Sequence, residues 1–223
     1  MEFSDLAAVP VQLGAAMRGR PLFHPIGIVV AGTLTRVAPA CTSLPLQSTE
    51  VIGRISKGIG TIGALPDFAG LAWRMSQSGD PRALWDVLMV TAAARVVPLP
   101  VTSWSDAVYS TIMPLHHQGE SIWLRARMTS PDLGGGLSLD DLRRHIATEP
   151  IRFVIEQATG LRPFVELAVL SFDRQIDPGD QSRIAFDPTL HSHPEVQLSP
   201  RWLTGVRRWA YAASRRGRAA YEP

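Results

Sequence analysis

The chain has 223 residues, 45% of them hydrophobic, with 22 basic against 20 acidic side chains. That suits one domain with a substantial core, and the scattered, acid-interrupted basic residues exclude a nucleic-acid-binding surface. A single cysteine, Cys41, excludes an internal disulfide, a four-cysteine zinc site and a thiol redox pair.

No apolar run reaches the roughly 18 residues of a bilayer-spanning helix, so no membrane partner is expected. Met1-Glu2-Phe3-Ser4-Asp5 lacks the basic start and apolar stretch of a secretory signal, so a cytoplasmic location is expected. Lys57 is the sole lysine, and the positive charge is otherwise arginine. Arginine keeps its charge when buried and pairs with planar carboxylates through two parallel hydrogen bonds.

Residues 1–20 read as an arm or helix leading into the domain. His24 follows, with Pro25 favouring an extended backbone at the histidine. Ile26 to Val37 is β-branched and apolar on both faces, a buried strand. Gly27 and Gly32 within it mark bulges or the close approach of a flat group. Glu50 to Lys57 is a second strand and carries Arg54 and Ser56. The loop Gly58-Ile59-Gly60-Thr61-Ile62-Gly63 has the spacing of a dinucleotide fingerprint. Leu65-Pro66 follows it instead of a helix, so that reading is discounted.

Pro66 to Met75 reads as a short helix or turn. Trp85 to Val90 is an apolar strand or helix that periodicity does not resolve. His116 and His117, after Pro114, read as loop residues. Ser121 to Met128 alternates, with Ile122, Leu124, Ala126 and Met128 opposite Trp123, Arg125 and Arg127, a strand with one wet face. Gly134-Gly135-Gly136 is a flexible link to a helix that Ser138 caps, with Asp141 three residues on. Ile151 to Gln157 and Pro163 to Phe172 are further strands. Pro178 to Pro200 is an extended crossing that holds His191 and His193.

The last helix opens with Ser199 as cap and Pro200 in its first turn. Steps of four and seven place Arg207, Tyr211 and Arg218 on one helix face. Flanking guanidiniums favour the tyrosine as phenolate, which is a ligand for ferric iron. Many strands followed by one helix predict an α+β fold: an antiparallel β-barrel with helical additions. The expected layout is an arm over 1–20, a barrel over 21–198 and a terminal helix over 199–218, all in one domain.

Read in order, these segments resemble the haem catalases. His24 to Gly27, with Gly32 downstream, is similar to their histidine segment, and Arg54-Ile55-Ser56 to their Arg-Phe-Ser strand. Asp67-Phe68-Ala69-Gly70-Leu71-Ala72 resembles Asp-x-x-Gly-Phe-Ala, which is expected to start a helix. Trp85-Asp86 resembles their Trp-Asp pair, and Ala185-Phe186-Asp187-Pro188 their Ala-Phe-Asn-Pro. Arg207-x-x-x-Tyr211, with Arg218 seven residues on, matches their most specific motif. The chain resembles the minimal members, the catalase-related peroxidases and allene oxide synthase.

The resemblance implies a catalase-type barrel that binds haem b. Tyr211 would be the axial ligand and Arg207 would tune it. His24 would be the distal acid/base and Ser56 would fix its tautomer. Arg54, Arg218 and Arg20 or Arg18 would hold the propionates. The implied substrate is a hydroperoxide or a small organic molecule. Dehydration or oxidative rearrangement of a metabolite, non-enzymatic haem binding and self-association into a homo-oligomer stay open. The chain departs from the family at two places. Arg20 lies four residues before His24 rather than three, with Pro21 in the expected place. The asparagine expected after the Trp-Asp pair is missing. Its position falls on an apolar residue or on Thr91, and the chain has no asparagine at all.

Overall fold

A computed structural model of the protein describes residues 25–39, 44–77, 80–177 and 184–198. In chain order the elements are β1 (Ile26–Arg36), β2 (Thr49–Lys57), β3 (Ala69–Gln77), β4 (Asp80–Ala93), β5 (Val97–Pro98), β6 (Val108–Ser110), β7 (Leu115–His117), β8 (Glu120–Ser130), α1 (Leu139–Ile146), β9 (Ile151–Thr159), β10 (Val165–Gln175) and β11 (Gln197–Leu198). The expected arm over 1–20 and terminal helix over 199–218 lie outside the described residues.

The strands pair antiparallel in the order β8-β6-β4-β3-β2-β1-β10-β9, and β9 returns to β8 to close an eight-stranded barrel. Closure removes the free sheet edges that an open sheet would leave. β5 adds to β4, and β7 and β11 extend the β8 side.

The interior follows from alternation. Ile28 and Val30 of β1, Val51 and Ile55 of β2, Leu71 and Trp73 of β3, and Val87 and Met89 of β4 all point inward and are buried. Phe153 and Phe172 stack edge-on in the same core, their ring centroids 6.2 Å apart. α1 buries Leu139, Leu142 and Ile146, and the Ser138 hydroxyl accepts from the Asp141 amide at 3.2 Å, as its sequence predicts. Gly32 sits at a register shift between β1 and β10, where a Cβ would lie 1.9 Å from the Ser171 carbonyl oxygen. The expected bulge is there, and a neighbouring strand is what approaches.

Two expectations are corrected and one open alternative is resolved. Pro66 to Met75 is not a helix: its second half is β3, because Leu71, Trp73 and Met75 alternate with Ala72 and Arg74 at a period of two. The segment resembling a helix start instead bridges to Val101 at Asp67 and runs into a strand from Ala69. Trp85 to Val90 is strand, within β4. His116 and His117 lie on β7 rather than in a loop; His117 is buried, its Nδ1 3.0 Å from the Glu195 carbonyl oxygen.

Candidate functional site

The residues that face outward from β1 to β4 form a continuous row. Gly27 pairs with Ser56, Ser56 with Gly70, Gly70 with Val90, and Val90 with Ser110. A parallel row runs Val29–Arg54–Ala72–Leu88. Glycine, alanine and valine dominate both rows, so the sheet presents a smooth apolar floor interrupted by one hydroxyl and one guanidinium. Ser56 is buried and Arg54 half-buried.

Gly27 permits this arrangement. A Cβ there would lie 2.6 Å from the Ile55 carbonyl oxygen, 2.8 Å from the Ser56 Cβ and 3.0 Å from the Arg54 Nε. Any side chain at position 27 would displace both polar groups. Of the predicted site residues, Arg54 and Ser56 are thus brought together, two residues apart on one face of β2. Arg20, His24, Arg207, Tyr211 and Arg218 lie outside the described residues.

The glycine-rich loop after β2 does not cradle a phosphate. Its amide donors are taken by a side chain of the protein. Ile59, Gly60 and Thr61 donate to the Asp67 carboxylate at 2.8, 2.9 and 2.8 Å, and the Phe68 amide adds a fourth bond at 2.7 Å. Burial alone would raise the Asp67 carboxyl; the amide bonds outweigh it and hold it below the ordinary carboxylate range. Buried Lys57 closes the other side of the loop, donating to the carbonyls of Gly63 at 3.0 Å and Leu65 at 3.1 Å. Desolvation lowers the Lys57 ammonium against the opposing pull of Asp67. The ordered loop packs on the start of β1: a Cβ on Gly60 would meet the Pro25 ring at 2.7 Å. Asp67 therefore positions the residue that follows His24.

A second polar cluster pins the crossing segment to the same side of the barrel. Arg74 on β3 faces Asp86 on β4 and makes two bonds to its fully buried carboxylate, at 2.6 and 2.7 Å. That carboxylate also accepts the Asp187 amide at 2.7 Å, and the Asp86 amide donates to the His191 carbonyl at 2.9 Å. Arg74 reaches the Ala185 carbonyl at 2.6 Å. His191 Nδ1 lies 3.0 Å from Asp86 Oδ2 and 2.8 Å from Arg74 Nη2, so it donates to the first or accepts from the second according to tautomer. Asp86 and the Ala185–Pro188 stretch, both read from the sequence only as resemblance motifs, form one hydrogen-bonded unit with His191 of the crossing segment. A hairpin reading of 69–93 would have paired Arg74 with Asp86; the short helix or turn expected over 66–75 hid it.

The missing asparagine has a structural counterpart. Val90 occupies the outer row beside Gly70, and Thr91 is fully buried with its hydroxyl committed. Thr91 donates to the Leu99 carbonyl at 2.7 Å and accepts the Ala69 amide at 3.1 Å. Neither residue presents an amide or a free hydroxyl to the floor.

No family model matches the chain, and no curated protein matches it. Solved structures do. A bacterial catalase superposes with a TM-score of 0.64 at 14% identity, covering 98% of this chain and 61% of that one. A fungal catalase superposes with a TM-score of 0.70 at 11% identity, covering 98% and 63%. The barrel is catalase-like. The chain spans about three fifths of the length of those catalases.

Small side chains run across the two rows, with a guanidinium and a hydroxyl side by side on β2. Arg54 is suited to a propionate and Ser56 to an imidazole N–H. Among the described residues, no cluster of three or more His, Cys, Asp or Glu side chains is arranged to hold a bare metal ion, and no helix is long and apolar enough to cross a membrane.

Proposed function

We propose that this protein is a minimal haem b enzyme of the catalase-like type that processes organic hydroperoxides, with little true catalase activity. The observation that carries the reading is the Gly27–Ser56–Gly70–Val90 row with Arg54 beside it, on a catalase-like barrel. The row joins segments whose resemblance to catalases had been read separately.

Arg54, with Arg218 and Arg20, would hold the propionates. Tyr211 would be the iron ligand, with Arg207, four residues before it, favouring its phenolate. When bound, haem supplies the redox-active iron needed to cleave an O–O bond. The chain's own part is to move protons and shape the pocket. His24 would take the hydroperoxide proton on one imidazole nitrogen and return it to the departing oxygen. Ser56 would accept the N–H of the other ring nitrogen and so fix the tautomer. The two electrons that reduce the hydroperoxide to alcohol and water come from an external organic reductant.

Val90 and the committed Thr91 hydroxyl support an apolar distal surface. Such a surface favours the alkyl part of an organic hydroperoxide over hydrogen peroxide, which an orienting amide would have to hold.

Hemin titration of the purified full-length protein tests the reading. The expected results are a Soret band, turnover of an alkyl hydroperoxide with a phenolic reductant, and weak dioxygen release from hydrogen peroxide. Tyr211→Phe should lose hemin or shift its spectrum, and His24→Ala should keep hemin and lose turnover. An unaltered haem spectrum in Tyr211→Phe would overturn the axial assignment.

A further inference from the structure

We propose that a cavity at the β4–β5 turn, bounded by β6, β8 and the turn joining β9 to β10, binds a small monocarboxylic acid with an apolar body. Its volume is about 230 Å3, and Ala92, Ala94, Val108, Arg95, Arg125 and Phe164 line it. It lies where the row described above continues through Ser110, which also lines it, to Arg125. It is formed by described residues alone and does not depend on the haem reading.

The charges in this cavity do not cancel. Arg125 makes two 2.8 Å bonds to Glu156, and Arg127 shares the same carboxylate at 3.1 and 3.3 Å. Arg95 has only carbonyl partners among the described residues, Gly160 at 2.6 Å and Arg162 at 2.9 Å. Glu166 lies across from Glu156 on β10, on the same outward face, but it is exposed and makes no ion pair with Arg95 or Arg125. Arginine stays protonated at any physiological pH, so the cavity is a standing cationic site.

The cations are also held in place. The Phe164 ring lies against both guanidiniums, with Arg95 Cζ 4.6 Å and Arg125 Cζ 4.1 Å from its centroid. Arg95 reaches this position from a turn in which both Ala94 (φ 45°) and Arg95 (φ 72°) are left-handed. Neither is glycine, and side chains rarely adopt that conformation without a compensating contact. Here the compensating contacts are the Arg95 bonds to the Gly160 and Arg162 carbonyls and its packing on the Phe164 ring.

The ligand class follows from what remains. Each arginine has part of its donor set committed to protein oxygens. The donors left suit the two oxygens of a carboxylate better than the three oxygens and double charge of a phosphate. Ala92, Ala94, Val108 and the Phe164 ring edge provide an apolar wall for a short alkyl or aromatic body.

Isothermal titration calorimetry on the full-length protein tests this, with phenylacetate and hexanoate as probes and with phenylacetamide and inorganic phosphate as comparators. Saturable binding of both acids is expected with a Kd below about 1 mM, and the amide and phosphate should bind at least ten-fold more weakly. Arg125→Gln should weaken the acids at least ten-fold. Val108→Trp and Ala92→Phe, which fill the cavity and leave every charge in place, should abolish binding with an unchanged circular dichroism spectrum. The exposed Val108 position keeps the test decisive should Arg125→Gln fail to fold. Absence of acid binding, equal affinity for the amide, tighter binding of phosphate, or binding that survives the folded cavity-filled variants would each overturn the proposal.

Discussion

Two quadrants of one barrel surface carry opposite chemistry. From β1 to β4 two adjoining outward rows are glycine, alanine, valine and leucine with a single hydroxyl, Ser56, and one guanidinium, Arg54, beside Gly27. The next outward row carries the Arg74–Asp86 pair. From β6 to β9 the continuation of the same row is Ser110–Arg125–Glu156, with Arg127, Arg95 and Phe164 around it. Antiparallel pairing and an apolar inward face are common to both. Only outward side-chain size and charge differ, and those differences cost the core nothing, because alternate residues face opposite ways. A smooth quadrant can accept a flat group; a bulky charged one can only form a localised pocket.

Polar clusters mark the two quadrants differently, and removing them should show it. Asp86→Ala strips the buried carboxylate from Arg74 and from the Asp187 amide. It should cost about 3–5 kcal/mol, read as a fall in the urea midpoint, with faster amide hydrogen exchange over 184–191. A loss under about 1 kcal/mol would mean that the crossing segment is held by other contacts.

Glu156→Gln should cost less, about 1–2 kcal/mol at neutral pH, because Arg125 and Arg127 retain access to water. Burial would raise the Glu156 carboxyl, but the hydrogen bonds and charges of the two arginines outweigh it and hold it low. A carboxyl lower in the folded than in the unfolded chain stabilises fully above its unfolded value, about 4.3. That contribution disappears as the pH falls through the folded value. The gap between wild type and Glu156→Gln should therefore narrow below pH ~4; a gap that widens on acidification would contradict the assigned shift.

Ala72→Trp places bulk on the smooth floor at a half-buried position. It should weaken hemin binding at least ten-fold, about 1.4 kcal/mol, with the fold intact by circular dichroism. Unchanged hemin affinity would remove the floor from the proposed site. The smallest effect is expected for Arg127→Ala. Arg127 is half-exposed and Glu156 keeps both bonds to Arg125, so the loss should be about 0.2–1 kcal/mol and should shrink in high salt.

Strands with unbroken or alternating apolar residues were legible: β1, β2, β8, β9 and β10 stand within a few residues of their expected limits, and Ser138 caps α1 as its spacing predicts. Short strands were not. β6 and β7 are three residues each, too short for a period to emerge from Val108-Tyr109-Ser110 or Leu115-His116-His117. β3 was misread because Pro66 and Asp67 signal a helix start, whereas in the fold Asp67 collects amide bonds from the preceding loop. Arg54 and Ser56 were identified through a motif, and their common face followed from strand alternation.

What the amino-acid order determined alone was local: which residues alternate, where β-branched runs lie, where a serine caps a helix, and that two polar groups share one side of β2. These depend on contacts within a few residues. Tertiary structure decided which outward residues meet. Arg74 finds Asp86 and the Asp187 amide, and Arg95 and Arg125 close on Phe164, because barrel closure and strand register bring together positions far apart in the chain. Register is a collective property of the whole sheet, set by packing every strand's inward face at once, and no short segment encodes it.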